Sequence, residues 1–268
     1  MSEDLPTFAP DDPDSVEYYS AAFKALKRAK VDFLVGGAYS FARYSGVYRH
    51  TKDLDLFLRP RDVDAAQSAL GDAGFDIRPA FEHWIAKAYR DDHFIDLIYG
   101  SGNGMAIVDD GWFDHAVTGE VAGETVDFCP AEESIWSKAF IMERHRFDGA
   151  DVAHVFRRIG SQLDWQRLLD RFDDHWPLLF SHVVMFSYVY PGHLNQIPGW
   201  VRRTFAERFE AAAATPLPDA KLCRGTLLSA LEYLPDIERW GYHDARLPPV
   251  GNMTPENIRA WTEGVRAG

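Results

Sequence analysis

The segment Thr51–Leu58 reads Thr-Lys-Asp-Leu-Asp-Leu-Phe-Leu and places Asp53 and Asp55 inside an apolar, strand-like run. Side chains alternate across a strand, so these two carboxylates point to the same face. A third carboxylate, Asp96, lies in a second apolar run, 93–99. If the second strand lies alongside the first, Asp96 joins the other two on one face of a sheet.

Three carboxylates on one face need compensation of their charge. At about 4 Å, each pair repels by roughly 4 kcal/mol at an effective dielectric of about 20. Either protons or divalent cations can compensate, and Mg²⁺ is the hard, oxygen-seeking ion that fits. The pattern therefore indicates a site that handles phosphate groups.

Length and charge bound the classes of protein that this chain can belong to. The 268 residues leave room for one large domain or two modest ones. The formal net charge of −13 disfavours broad nucleic-acid binding, but it does not disfavour a nucleotide bound with its metal ions. Cys129 and Cys223 predict reduced thiols in a cytoplasmic protein. Residues 1–14 are interpreted as an acidic tail, and no apolar run approaches the roughly 20 residues that span a bilayer.

Apolar spacing along the chain changes after Pro130. Before it, helical spacing alternates with short strand candidates at 32–35, 54–58, 75–77, 85–89, 94–99 and 125–128. After it, every periodic segment is helical: 131–144, 151–159, 164–172, 175–190, 200–213, 223–233 and 255–266. We therefore predict an α+β fold in which a small mixed β-sheet with helices, over 15–129, precedes an all-helical domain over 130–268.

A Gly-Gly turn after a strand, followed by a spacer and an Asp-x-Asp run, resembles the nucleotidyltransferase superfamily with the polymerase-beta type fold. Gly36-Gly37 and Asp53-Leu54-Asp55 carry this resemblance. With Arg49 and Thr51 included, the run is similar to minimal bacterial nucleotidyltransferases, among them abortive-infection-type toxins. The later run of Lys138, Arg144 and Asp148 to Val152 resembles the basic helix and Asp-rich turn that follow the catalytic domain there. This chain departs from the pattern in its longer spacer and in having Gly37 where Ser is frequent.

The resemblance implies roles for these residues. Asp53, Asp55 and Asp96 would be catalytic residues that hold two Mg²⁺ ions, with Asp96 next to the attacking hydroxyl and able to accept its proton. The substrate would be an NTP, whose triphosphate would lie against the backbone of Gly36 and Gly37 and the following helix N-terminus. Further nucleotide contacts would come from Ser40, Arg49, Thr51, Lys52 and Lys138.

Two functions stay open at this level. The favoured one is a Mg²⁺-dependent nucleotidyltransferase that moves a nucleoside monophosphate to a hydroxyl of a small molecule, a protein or an RNA end, with RNA the least favoured by the acidic charge. The alternative is a catalytically silent nucleotide-binding or partner-binding module, such as one half of a toxin–antitoxin pair. Single residues also have ordinary structural explanations: Asp96 can lie at a sheet edge, and Lys138 can be a solvated helix residue.

Overall fold

The computed structural model describes residues 13–48, 51, 53–215 and 219–267. The chain divides into two compact units, residues 1–130 and 131–268. No helix in the described part of the chain is long and apolar enough to cross a membrane.

The first unit combines four helices with one sheet, as counted over its described residues. The helices are α1 (Pro13–Arg28), α2 (Gly37–Ser45), α3 (Val63–Asp72) and α4 (Asp110–Asp114). The strands are β1 (Leu34–Val35), β2 (Leu54–Phe57), β3 (Asp76–Phe81), β4 (Ile85–Arg90), β5 (His93–Ile98), β6 (Val117–Val121) and β7 (Glu124–Phe128).

The seven strands form one mixed sheet in the order β3-β4-β5-β2-β1-β7-β6. Strands β2 and β5 are parallel, as are β1 and β7, and the remaining neighbours are antiparallel. The centre of the sheet is therefore β2, which lies between β1 and β5. Residues 54–57 of the segment Thr51–Leu58 form this central strand.

One face of the sheet is buried under helices α1 and α3. Leu54 and Leu56 of β2 are fully buried there, together with Ile95 and Leu97 of β5 and with apolar side chains of both helices, including Phe23. Because strand residues alternate between faces, Asp55 and Asp96 are left on the opposite face. Burial of the apolar residues thus determines where the carboxylates point.

Strand β6 (Val117–Val121) was not expected from the sequence, because Gly119 interrupts its short alternation of apolar and polar residues. It is an edge strand paired only with β7. Gly119 is required there: a Cβ at this position would lie 2.5 Å from a guanidinium nitrogen of Arg43 and 2.8 Å from the Phe128 ring. The same Arg43 donates to the Thr118 carbonyl at 3.1 Å and lies over the Phe128 ring. A buried arginine, and not a hydrophobic pattern, fixes this edge.

The second unit is helical apart from one short pair of strands. Its helices are α5 (Ala131–Ala139), α6 (Gly149–Ile159), α7 (Trp165–Phe172), α8 (Trp176–Val189), α9 (Gly199–Ala214), α10 (Leu234–Glu238) and α11 (Pro255–Ala267). Two-residue strands β8 (Leu222–Cys223) and β9 (His243–Asp244) pair in parallel. The predicted fold class, a mixed-sheet unit followed by a helical one, is confirmed.

One predicted helix, 223–233, is not formed. Cys223 belongs to β8, and only a single 3-10 turn, Gly225–Leu227, follows it. The Glu143 carboxylate accepts from the Ser229 hydroxyl and, at 2.9 Å, from the Ala230 N–H. The Glu143 side chain, from another segment, therefore accepts from a backbone N–H that a helix would otherwise have used.

Candidate active site

The Gly36-Gly37 turn joins β1 to helix α2 and packs directly against β2. A Cβ on Gly36 would lie 2.2 Å from the Phe57 ring, and one on Gly37 would lie 1.6 Å from Oδ2 of Asp55. Gly37 also has φ +53, a conformation that favours glycine. The Gly36 N–H donates to the Asp55 carbonyl at 3.0 Å. Both glycines are therefore needed for the turn to approach this face of β2.

The Asp55 carboxylate consequently lies at the N-terminus of α2, which begins at Gly37. Gly36, at the N-cap position, makes no side-chain capping bond because it has no side chain. The positive end of a helix dipole favours an anion at this place. The turn thus offers backbone close to any phosphate bound beside Asp55.

Asp96 lies next to Asp55 across the sheet. The two are register partners on the parallel strands β2 and β5, so their side chains share a face. Burial raises the pKa of Asp96, the ion pair with Lys87 opposes that rise, and the charge of Asp53 adds to it. Burial likewise raises the pKa of Tyr19 to about 12, and the charges of Asp53 and Asp55 both contribute to the rise. The three predicted carboxylates therefore share one electrostatic neighbourhood.

Lys87 lies beside Asp96 on the neighbouring strand β4, and it was not identified as a site residue from the sequence. It is the register partner of Asp96 on β4, and its Nζ lies 2.6 Å from Oδ1 of Asp96. The signal was available: β4 and β5 form a hairpin around Asp91 and Asp92, and counting back from that turn places Lys87 opposite Asp96. The hairpin register was not predicted, so the pairing was missed.

Thr51 fixes the backbone in front of β2. Its hydroxyl donates to the Asp53 carbonyl at 3.1 Å, and the Asp53 N–H donates to the same hydroxyl at 3.3 Å. Threonine thereby orients the chain from which the Asp53 carboxylate projects. The predicted nucleotide contacts Arg49 and Lys52 lie outside the described residues.

Ser40 is placed in the core rather than in an open position. It is fully buried, and its hydroxyl donates to the Cys129 carbonyl at 3.2 Å. The Tyr44 hydroxyl donates to the same carbonyl at 2.8 Å. These contacts hold α2 against the end of β7, and a contact of Ser40 with the nucleotide stays a prediction.

Lys138 lies in the second unit, on α5. Its ammonium group is 2.8 Å from Asp148 and 2.9 Å from Asp151. Burial opposes ionisation of Asp148, but hydrogen bonds from Arg146 and Lys138 outweigh it and hold the pKa of that carboxyl below its usual range. Asp148 occupies the N-cap position of α6 without a side-chain capping bond. In this structure the lysine ties α5 to the start of α6.

The donor chemistry of Asp53, Asp55 and Asp96 fits a hard divalent cation, because all three supply carboxylate oxygens. Asp55 and Asp96 share a sheet face, and Asp53 directly precedes β2. As the side chains stand, the third carboxylate is already held by Lys87. Among the residues that the structure describes, no three His, Cys, Asp or Glu side chains converge closely enough to hold a metal ion. The donor set therefore fits a divalent cation in type, and for Asp55 and Asp96 also in face.

Comparison with known proteins identifies a family. The model of the family described as "Uncharacterised nucleotidyltransferase" matches residues 21–176, more than half of the chain. Sequence comparison with curated proteins finds no match.

Three solved structures show partial similarity. The lincosamide antibiotic adenylyltransferase LnuA, with lincomycin bound, is 12% identical with a TM-score of 0.38, over 53% of this chain and 95% of its own. The antibiotic-resistance factor ANT(2'')-Ia is 15% identical with a TM-score of 0.38, over 76% and 97%. An antigenic nucleotidyltransferase-like protein from Paracoccidioides brasiliensis is 17% identical with a TM-score of 0.37, over 63% and 92%. Scores this low carry no argument about substrate.

Proposed function

The chain belongs to the family described as uncharacterised nucleotidyltransferases, and on that premise we propose that it transfers a nucleoside monophosphate from an NTP to a hydroxyl acceptor with the help of Mg²⁺. One observation supports this most directly. Asp55 lies against the Gly37 turn on one side and in register with Asp96 on the other. This contact and this register support the proposal that the carboxylates and the turn belong to one site.

Asp53 and Asp55 would hold two Mg²⁺ ions between them, and Asp96 would be the third ligand. When bound, the ions neutralise charge on the triphosphate and on the attacking and leaving oxygens. The backbone of Gly36 and Gly37 would approach the phosphates, since no side chain separates them from the turn. Thr51 acts indirectly, by orienting Asp53.

The transfer step requires little covalent help from the protein. The acceptor oxygen forms a bond to the α-phosphorus, the bond from the α-phosphorus to the bridging oxygen breaks, and pyrophosphate leaves. The hydroxyl proton passes to the Asp96 carboxylate.

The acceptor classes are a small molecule, a protein side chain and an RNA end. The formal charge of −13 is least favourable for RNA. We further propose that the two compact units are separate domains, with the nucleotidyltransferase chemistry in the region 15–129 and a helical domain over 130–268.

The proposal is tested by incubation with each of the four NTPs, labelled at the α-phosphate, and with candidate acceptors of the three classes. Wild type is compared with Asp53→Asn and Asp55→Asn, and with Asp92→Asn as a matched control from the exposed turn between β4 and β5. We expect label transfer and pyrophosphate release in wild type and Asp92→Asn and loss of both in the other two variants. Equal labelling in all four proteins would exclude the assignment. Mg²⁺-independent NTP binding without turnover would favour the silent binding module.

A further inference from the structure

Lys87 is the third of four charged residues that lie in register across neighbouring strands, and Arg78 on β3 follows it. Asp55 on β2, Asp96 on β5 and Lys87 on β4 are consecutive register partners. Nζ of Lys87 lies 2.6 Å from Oδ1 of Asp96 and 4.0 Å from the centroid of the Phe94 ring. The side chains of Lys87 and Asp96 are 27% and 14% exposed. The contact is thus largely shielded, yet the lysine keeps a path to solvent.

This position has an electrostatic consequence. Without a metal ion, the neighbouring carboxylates repel one another. The ammonium group of Lys87, paired with Asp96, relieves part of that repulsion. A lysine ammonium is a compact point charge on a flexible stem, so it can leave one oxygen for another partner. The oxygen that it holds belongs to the same carboxylate that a divalent cation would need.

We propose that Lys87 is an internal counter-ion that occupies the third carboxylate of the metal-free site and gives up Asp96 when a divalent cation binds. This inference rests on the proposed metal-dependent function and adds a residue that controls how tightly the metal is held. Lys87 and the cation compete for Asp96, so each weakens the binding of the other. Lys87 is a positioning residue in this scheme, because it acts through Asp96.

A purely structural cross-strand ion pair makes a different prediction. If Lys87 only joined β4 to β5, its removal would lower stability by the same amount with and without metal, and metal affinity would not change. The two cases are separated by measuring metal binding itself, which does not require turnover.

The experiment uses the full chain and Mn²⁺ alone as the probe. Binding of Mn²⁺ is measured by calorimetry and by the spectroscopic signal of the ion that remains free. Lys87→Met removes the charge, and Lys87→Arg keeps it. Arg144→Met is the control for loss of an exposed positive charge, because Arg144 lies in the second unit, pairs with Glu232 at 2.9 Å and is mostly exposed. Melting temperatures are recorded in EDTA and across a Mg²⁺ series.

We expect Lys87→Met to melt lower than wild type in EDTA, to gain more from Mg²⁺, and to bind Mn²⁺ roughly tenfold more tightly, a moderate coupling between two ligands of one group. Lys87→Arg and Arg144→Met should bind Mn²⁺ like wild type. In an Asp96→Asn background, Lys87→Met should no longer change Mn²⁺ affinity. If Lys87→Met does not fold, the comparison of Lys87→Gln with Lys87→Arg gives the same contrast.

Unchanged or weaker Mn²⁺ binding in Lys87→Met would overturn this inference while leaving nucleotide transfer by the wild type intact. If wild type binds no Mn²⁺ and shows no label transfer, the proposed function fails, and this inference fails with it. The two failures are therefore distinguishable, because only failure of the proposed function changes the result for the wild-type protein.

Discussion

The α-carbon of Gly37 faces the carboxylate of Asp55 so closely that a methyl group there would lie 1.6 Å from Oδ2 and 2.6 Å from Cγ. No rotation of the new methyl group can relieve this overlap, because its position is set by the backbone. The Asp55 side chain, which carries the proposed metal ligand, would have to move. The glycine of the turn and the aspartate of the strand are therefore one structural unit.

Gly37→Ala should consequently impair both stability and activity. We expect a loss of about 1–3 kcal/mol in the free energy of unfolding from the strained conformation, and about a 100-fold fall in nucleotide transfer if Asp55 moves by around 1 Å. Gly123→Ala is the matched control, with φ +73 and nothing within 4 Å of its Cβ position. It should cost about 1–2 kcal/mol and leave transfer unchanged. Equal turnover in the two variants would show that Asp55 does not depend on Gly37.

The Thr51 hydroxyl holds the backbone of Asp53 through two hydrogen bonds. Thr51→Val keeps the shape and removes both bonds, so we expect a loss of about 1 kcal/mol in stability. Transfer should fall by roughly tenfold, less than a full misplacement of a ligand causes. Thr51→Ser should restore both quantities. If valine and serine give the same rate, the hydroxyl does not position Asp53.

A buried ionic cluster joins α5 to α7 in the second unit. Glu133 is fully buried and accepts from Arg167 at 2.7 Å and Arg171 at 3.0 Å. Glu133→Gln leaves these guanidinium groups without their common counter-ion, so we expect a cost of about 3–5 kcal/mol in urea unfolding. Glu232→Gln breaks the exposed pair with Arg144 and should cost less than about 1 kcal/mol. Similar costs for the two variants would contradict this distinction.

His182 should make the stability of the protein depend on pH. It is 1% exposed, its Nε2 lies 2.9 Å from the Ala139 carbonyl, and burial lowers its pKa below the usual value near 6.5. Protonation therefore favours the unfolded chain, and stability present above pH 6.5 is lost as the pH falls towards the folded-state pKa. The slope from this one residue approaches about 1.4 kcal/mol per pH unit.

The measurement is the free energy of unfolding of wild type and His182→Gln between pH 8 and pH 5. The difference between the two proteins should shrink or change sign as the pH falls, because glutamine does not titrate. Parallel curves would show that His182 keeps the same protonation behaviour in the folded and unfolded states.

Much of the fold was predictable because its signals are local. The helices 164–172 and 200–213 have apolar residues at helical spacing, and the structure forms them as Trp165–Phe172 and Gly199–Ala214. The region 223–233 does not form the predicted helix. The carboxylate of Glu143, which is distant in sequence, accepts the hydrogen bond of the Ala230 N–H. Strand β6 was missed because it is held by a hydrogen bond from Arg43, which lies on helix α2.

The candidate site divides in the same way. Alternation along a strand predicts a common face for Asp53 and Asp55, but β2 begins only at Leu54, so for Asp53 this stays a prediction. The placement of Asp96 needed the parallel pairing of β2 with β5, and Lys87 needed the register of a hairpin. Ser40 looked available beside the glycine turn, but the end of β7 takes its hydroxyl. Each of these outcomes depends on a neighbour that is far away in the chain.

By itself, the sequence determined that two glycines follow a strand, that two aspartates lie two residues apart in an apolar run, and that a helical region follows. These properties depend on covalent spacing and backbone geometry. Only the tertiary structure decided that Asp96 stands beside Asp55, that Lys87 already holds Asp96, and that Gly37 touches the Asp55 carboxylate. Register across a sheet is chosen by burial of the whole apolar face, so no single segment contains the information that places these charges together.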